Sequence, residues 1–170
     1  MSIDYEQFYQ EFPNGLGEPT KVFVDFFGSF DNQNASVLDV GCGQGRDALF
    51  IARIGHRVTA VDLSPTGIKQ LLADAKAENL KIKTVVTDIC EYTSDQKYDV
   101  ILIDRTLHML RKEDQIQVLG RLLEYVLEDG FVLIADEKSN MLHLKQVFED
   151  SDQEWSICLE KGGSLFLQSV

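Results

Sequence analysis

Short apolar runs alternate with amphipathic helical patterns along this chain, and that alternation limits it to one class of fold. The runs at 35–41 (ASVLDVG), 57–62 (RVTAVD), 81–89 (KIKTVVTDI), 98–104 (YDVILID) and 131–137 (FVLIADE) read as strands. They are mostly continuous in apolar character, as expected of strands covered on both faces in a parallel sheet. Between them lie helical patterns at 48–55, 63–80, 112–130 and 140–151. Ser64 is placed as an N-cap with Pro65 at the first helical position, and Gly55 and Gly130 read as helix stops. The expected core stripes are Ile68, Leu71, Leu72 and Ala75 on one helix and Ile116, Leu119, Leu123, Val126 and Leu127 on another. Leu144, Val147 and Phe148 complete the set. Residues 154–170 read as a hairpin turning at Gly162-Gly163. Right-handed crossovers then give a doubly wound α/β fold, mostly parallel, with a C-terminal antiparallel hairpin strand.

In such a fold, ligands bind outside the carboxyl ends of the strands. Those ends carry Asp39, Asp62, Asp88 and Asp104, and the first is followed by Gly41-Cys42-Gly43-Gln44-Gly45. One aspartate after a strand is commonly a turn cap. Four of them beside a glycine-rich loop point to a ligand. Glycine removes the Cβ atoms that would keep a ligand from the backbone N–H groups. A rim of carboxylates repels a pyrophosphate, and the Gly-x-Gly-x-Gly spacing followed by Arg46 departs from the dinucleotide fingerprint. The expected ligand therefore carries positive charge and a ribose diol but no phosphate.

The chain has 170 residues, enough for one core and too few for two ordinary domains. A single domain over 1–170 is expected, with an α/β core over 35–170 and an N-terminal helical lid over 1–30. Tyr5, Phe8, Tyr9 and Phe12 form one stripe of a first helix, and a second, 18–30, carries Val22, Phe23, Phe26, Phe27 and Phe30. The first stripe reads as a lid or as core packing. A net charge of −12 argues against a surface built for nucleic acid or anionic membrane. Cys42, Cys90 and Cys158 have no CxxC pairing and read as small buried residues of a reduced protein, with no metal site. The first residues show no leader and no run is long enough to span a membrane, so a cytoplasmic monomer or homodimer is expected.

These motifs resemble those of class I S-adenosylmethionine-dependent methyltransferases. VLDVGCGQG is similar to the family's first motif, VTAVDLSPTGI to its second, VVTDI to its third and YDVILIDRTLHML to its fourth. The resemblance runs through residues 35–137 and is nearest the small-molecule branch of tellurite-resistance and thiopurine-type enzymes. It implies a seven-stranded Rossmann-like sheet and S-adenosylmethionine as cofactor, whose sulfonium, ammonium and ribose suit the carboxylate rim. Asp39, Gly41, Cys42, Gly43, Gly45, Asp62, Leu63, Asp88, Ile89 and Asp104 would line that cofactor. Asp39 would accept from its ammonium and Asp62 from its ribose hydroxyls. Asp88 would accept from the adenine amine, with the Ile89 N–H beside it. No Asn-Pro-Pro-aromatic motif follows the fourth strand, which argues against N-methylation of DNA bases or of protein glutamine.

A soft thiol or metalloid acceptor needs no general base, whereas an oxygen acceptor usually does. His108 is the candidate base and Arg105 the candidate contact for an anionic group, each with a structural alternative in loop packing or a surface ion pair. His56 and His143 read as surface residues. The expected function is methyl transfer to a small-molecule acceptor. Two other readings stand beside it: a catalytically silent S-adenosylmethionine-binding subunit and a nicotinamide-linked oxidoreductase.

Overall fold

Seven strands form where β-branched and apolar residues run together: β1 (Ser36–Val40), β2 (Arg57–Asp62), β3 (Ile82–Val86), β4 (Tyr98–Asp104), β5 (Val126–Ala135), β6 (Trp155–Lys161) and β7 (Ser164–Ser169). They make one mixed sheet of order β3-β2-β1-β4-β5-β7-β6. The helices are α1 (Tyr5–Glu11), α2 (Lys21–Gly28), α3 (Arg46–Arg53), α4 (Pro65–Ala77), α5 (Lys112–Leu123) and α6 (Met141–Glu149), with 3-10 turns at Leu107–Met109 and Lys138–Asn140. This computed structural model describes residues 4–170. The chain divides into two compact units, Met1–Ile89 and Cys90–Val170.

In the first unit β1 pairs in parallel with β2, and β2 with β3. Val37, Leu38, Val58, Ala60 and Val61 are buried, so the continuous apolar runs match a sheet covered on both faces. Helix α4 starts as its sequence dictates. Ser64 is extended and accepts from the Gly67 N–H at 2.9 Å, and Pro65 follows it. Ile68, Leu71 and Ala75 face inward, while Leu72 is exposed. Leu71 packs directly over Gly45, where any Cβ would collide with its side chain. His56 is not a surface residue: its Nδ1 accepts from the Ala35 N–H at 3.1 Å, and its ring lies against Phe27 and Phe30.

In the second unit β4 pairs in parallel with β5, β5 antiparallel with β7, and β7 antiparallel with β6. The hairpin turns at Gly162, whose φ is +62°. Helix α5 is shorter than its pattern suggests. It ends at Leu123, and Val126 already pairs with Tyr98 in the sheet. The register then shifts, so that Phe131 is the partner of Val100. The inserted residues turn at Asp129, with φ +61°, and at Gly130, where a Cβ would lie 2.8 Å from the Leu127 carbonyl oxygen. Gly130 thus closes a turn and does not stop a helix. The buried face of α5 is Val118, Leu119, Leu122 and Leu123, whereas Ile116 and Leu127 are exposed. Cys158, expected inside, is exposed on β6, the last strand of the sheet; Cys42 is buried and Cys90 half-buried. His143 is half-buried, with Nε2 at 2.6 Å from Gln115 Oε1. No helix among the described residues is long and apolar enough to cross a membrane.

Candidate active site

The loop after β1 is built on three left-handed glycines: Gly41 (φ +75°), Gly43 (φ +53°) and Gly45 (φ +85°). Side chains rarely adopt this conformation, which accounts for the Gly-x-Gly-x-Gly spacing. The Gly41 and Cys42 N–H groups donate to the Val61 carbonyl at 2.8 and 3.0 Å, fastening the loop to the end of β2. Asp62 completes the fastening. Its Oδ2 accepts from the Gly43 N–H and its Oδ1 from the Ser64 N–H, both at 2.8 Å. Burial raises the Asp62 carboxyl above its ordinary range, and the Ser64 and Gly43 hydrogen bonds oppose that shift without cancelling it.

The other expected residues of this unit differ in accessibility. Leu63 is 66% exposed, an apolar side chain held outward straight after β2. Asp88 is partly exposed and Ile89 buried, just past the end of β3. Asp39 is only 2% exposed, its side chain lying beneath the surface. Cys42 is buried, and its thiol is pushed well above the ordinary range by burial, then by Asp39 and Asp62. It is not a nucleophile in this state. The three stretches 39–45, 61–64 and 86–89 contain no lysine or arginine.

The first helix reaches this loop. Tyr9 is buried, and its hydroxyl occupies the place a Cβ on Gly43 would take. Its ring also lies against Gly67, where a Cβ would be 3.1 Å from Tyr9 Cδ2 and 2.8 Å from the Gly43 carbonyl oxygen. The Ser64 and Thr66 hydroxyls donate to the Glu6 carboxylate, which they hold down at about 2. Gln70 Nε2 donates to the Tyr9 carbonyl at 2.8 Å. Gln44 Nε2 donates to the Phe12 carbonyl at 2.8 Å and to Gln70 Oε1 at 2.7 Å. Arg46 and Asp47, which open α3, hold the next segment: Arg46 donates to Leu16 and Thr20, and Asp47 accepts from the Thr20 N–H at 2.9 Å. A glycine in the first turn of α4, beside an aromatic stripe, was the available signal.

In the second unit, β4 ends at Asp104, which is partly exposed. Arg105 follows with φ +47°, a left-handed conformation costly for a residue with a Cβ, and its side chain is exposed. The Arg105 N–H donates to the Ala135 carbonyl at 2.7 Å. His108 sits in the following turn, its side chain 25% exposed and its Nδ1 at 3.6 Å from Asp136 Oδ2. Asp136 was not singled out from the sequence, although strand 131–137 ends in an acidic pair as the other strands end in Asp. No group of His, Cys, Asp and Glu suited to a metal ion occurs among the described residues.

Comparison with known proteins places these features in a family. The family described as "Methyltransferase domain" matches residues 37–130. The protein named "Probable S-adenosyl-L-methionine-dependent methyltransferase TehB" of Haemophilus influenzae is 33% identical over 99 residues, 58% of this chain and 35% of that protein. The ubiquinone biosynthesis O-methyltransferase of Rickettsia conorii is 32% identical over 107 residues, 63% of this chain and 36% of that one. This chain therefore spans little more than a third of the length of either relative. In fold it is similar to the crystal structure of TehB from Haemophilus influenzae, with a TM-score of 0.70 at 23% identity over 97% of this chain and 65% of that one. It is also similar to the magnesium protoporphyrin IX methyltransferase of Synechocystis PCC 6803, with a TM-score of 0.69 at 13% identity over 99% of this chain and 98% of that one. From the match over residues 37–130, which takes in the glycine loop, Asp62 and His108, the chain belongs to the methyltransferase-domain family.

Proposed function

We propose that this protein binds S-adenosylmethionine and transfers its methyl group to a small-molecule acceptor. The observation that carries the reading is the glycine loop fastened to Asp62 by the 2.8 Å hydrogen bond from the Gly43 N–H, with Asp39, Asp62 and Asp88 on stretches 39–45, 61–64 and 86–89 that contain no lysine or arginine. That set of carboxylate acceptors suits a cationic ligand bearing a ribose diol and disfavours a pyrophosphate. The cofactor supplies a methyl group already activated by a sulfonium.

The chain's own residues then have defined tasks. Asp62 accepts from the ribose hydroxyls, and Leu63 offers an apolar surface to the base. Asp88, with the Ile89 N–H, meets the polar edge of the adenine, and Asp39 attracts the ammonium. Gly41, Cys42, Gly43 and Gly45 bring the backbone within reach, and Asp104 adds a fourth carboxylate. His108 takes a proton from the acceptor, and Arg105 meets an anionic group on it. Orienting the two reactants and excluding water supply most of the rate, because the methyl carbon needs little further activation. Helix α1 serves as a cover, since it carries Tyr9 onto the loop.

Incubation with S-adenosylmethionine labelled in its methyl group, across thiol, metalloid, amine and hydroxyl acceptors, tests the reading. Label should appear in one acceptor class, and at low cofactor concentration it should fall sharply in the Asp62→Ala variant. Binding of the cofactor without transfer to any class would contradict it and point to a silent cofactor-binding subunit.

A further inference from the structure

His108 and Asp136 form a pair that the sequence motifs do not describe. The Asp136 side chain is completely buried. Its Oδ1 accepts from the Glu137 N–H at 2.7 Å and from Asn140 Nδ2 at 2.9 Å. Its Oδ2 accepts from the backbone N–H of His108 at 3.2 Å and faces the imidazole Nδ1 of the same residue at 3.6 Å. That Nδ1 is itself buried and makes no hydrogen bond among the described residues.

The aspartate is braced from behind. Its N–H donates to the Gly163 carbonyl at 2.8 Å, and the absence of a Cβ on Gly163 lets the β6–β7 turn sit against the Asp136 carbonyl. Three donors on the carboxylate and this clamp on its backbone fix where Oδ2 points. A carboxylate oxygen facing a ring nitrogen favours the tautomer that presents an N–H to it, because two lone pairs facing each other repel. The proton therefore belongs on Nδ1, and the Nε2 lone pair is left available. The 3.6 Å separation is longer than a hydrogen bond, as is common before a reaction complex tightens such contacts.

We propose that Asp136 is a positioning residue that holds His108 as the Nδ1–H tautomer, so that Nε2 receives the proton of a hydroxyl or amine acceptor. The proposal rests on the methyl-transfer reading above and narrows its acceptor class. As the acceptor atom bonds to the methyl carbon, the carbon–sulfur bond breaks with its electron pair left on sulfur. The acceptor proton passes to Nε2 and then to solvent.

Nitrogen-15 NMR of the histidine side chains in the full, ligand-free chain tests this without any substrate. The His108 resonances, assigned with His108→Asn, should report Nδ1 protonated and Nε2 bare in the neutral ring. Asp136→Asn, which can donate or accept at this place, should give a mixture of tautomers. An Nε2–H tautomer in the unaltered protein would overturn the proposal whatever the variant does. So would an Nδ1–H signature that Asp136→Asn leaves unchanged. With a hydroxyl acceptor, Asp136→Asn should lower kcat by about 10–100-fold with KM and product affinity kept, part of the roughly 10²–10⁴ that a general base contributes; an unchanged kcat would also overturn it. Lack of turnover by both proteins, with the expected tautomers in place, falls on the methyl-transfer reading and not on the His108–Asp136 pair.

Discussion

At the residue scale, Asp62 decides most. In the ligand-free chain it accepts from two backbone N–H groups, and a bound ribose would add hydroxyl donors to the same carboxylate. Hydrogen bonds to a charged group are worth about 1.5–3 kcal/mol each, and partial solvent access lowers the sum to about 2–4 kcal/mol, or roughly 30- to 1000-fold in affinity. Asp62→Ala should lose that much affinity for S-adenosylhomocysteine. A 2′-deoxy analogue should bind the unaltered protein poorly and the variant almost no worse than the natural ligand does. Titrating both ligands into both proteins gives a coupling free energy, and a value near zero would leave Asp62 with only its two backbone partners. The pH dependence has a defined sign. Because the folded-state carboxyl is raised, it takes up a proton at a higher pH than an ordinary aspartate does. Ligand affinity should therefore weaken on acidification before ordinary aspartates titrate, and strengthen as pH rises through the raised value. Asp62 was legible as a strand-end acid. Its grip on Gly43 was not, because the two lie 19 residues apart and only the fold brings them together.

At the element scale, α1 behaves as a latched helix. Glu6 reaches Ser64 and Thr66 across 58 and 60 residues of sequence, and its carboxyl is lowered from 4.5 to about 2. A lowered carboxyl favours docking above its unfolded value and withdraws that support as pH falls from 4.5 toward 2. Glu6→Ala should increase hydrogen exchange in α1 and at Gly43 while the amides of β4 and β5 stay protected; equal protection in both proteins would leave Glu6 no latching role. The aromatic stripe was visible in the sequence, but the acceptors and hydroxyls that dock it belong to other elements. Helix α5 shows a different limit. Its apolar period carries on through Val126 and Leu127, so the sequence alone extends the helix, yet pairing of Val126 with Tyr98 takes those residues into the sheet. Leu119 is fully buried and Ile116 39% exposed. Leu119→Ala should cost about 2–5 kcal/mol in urea unfolding, and Ile116→Ala distinctly less; similar losses would contradict the face assigned to α5.

At the scale of the whole molecule, the fold class was legible because strand runs and helix periods alternate from residue 35 onward. The hairpin at Gly162-Gly163 was equally plain, since glycine at φ +62° is what that turn requires. Each unit carries one part of the proposed chemistry: the glycine loop with Asp62 in the first, and His108 with Asp136 in the second. The strand-end acids were readable as letters. Their partners were not, because a 2.8 Å hydrogen bond leaves no periodic trace in a sequence. A net charge of −12 agrees with a ligand that is not a polyanion. The central claim is that the carboxylate rim and glycine loop hold S-adenosylmethionine and not a nicotinamide dinucleotide, whose pyrophosphate this rim repels. Isothermal titration of the full chain with S-adenosylhomocysteine and, separately, with NAD measures that difference. The expected outcome is one site for S-adenosylhomocysteine and at least about 100-fold weaker binding of NAD, a gap of about 2.7 kcal/mol. Binding of NAD as tight as that of S-adenosylhomocysteine would contradict it.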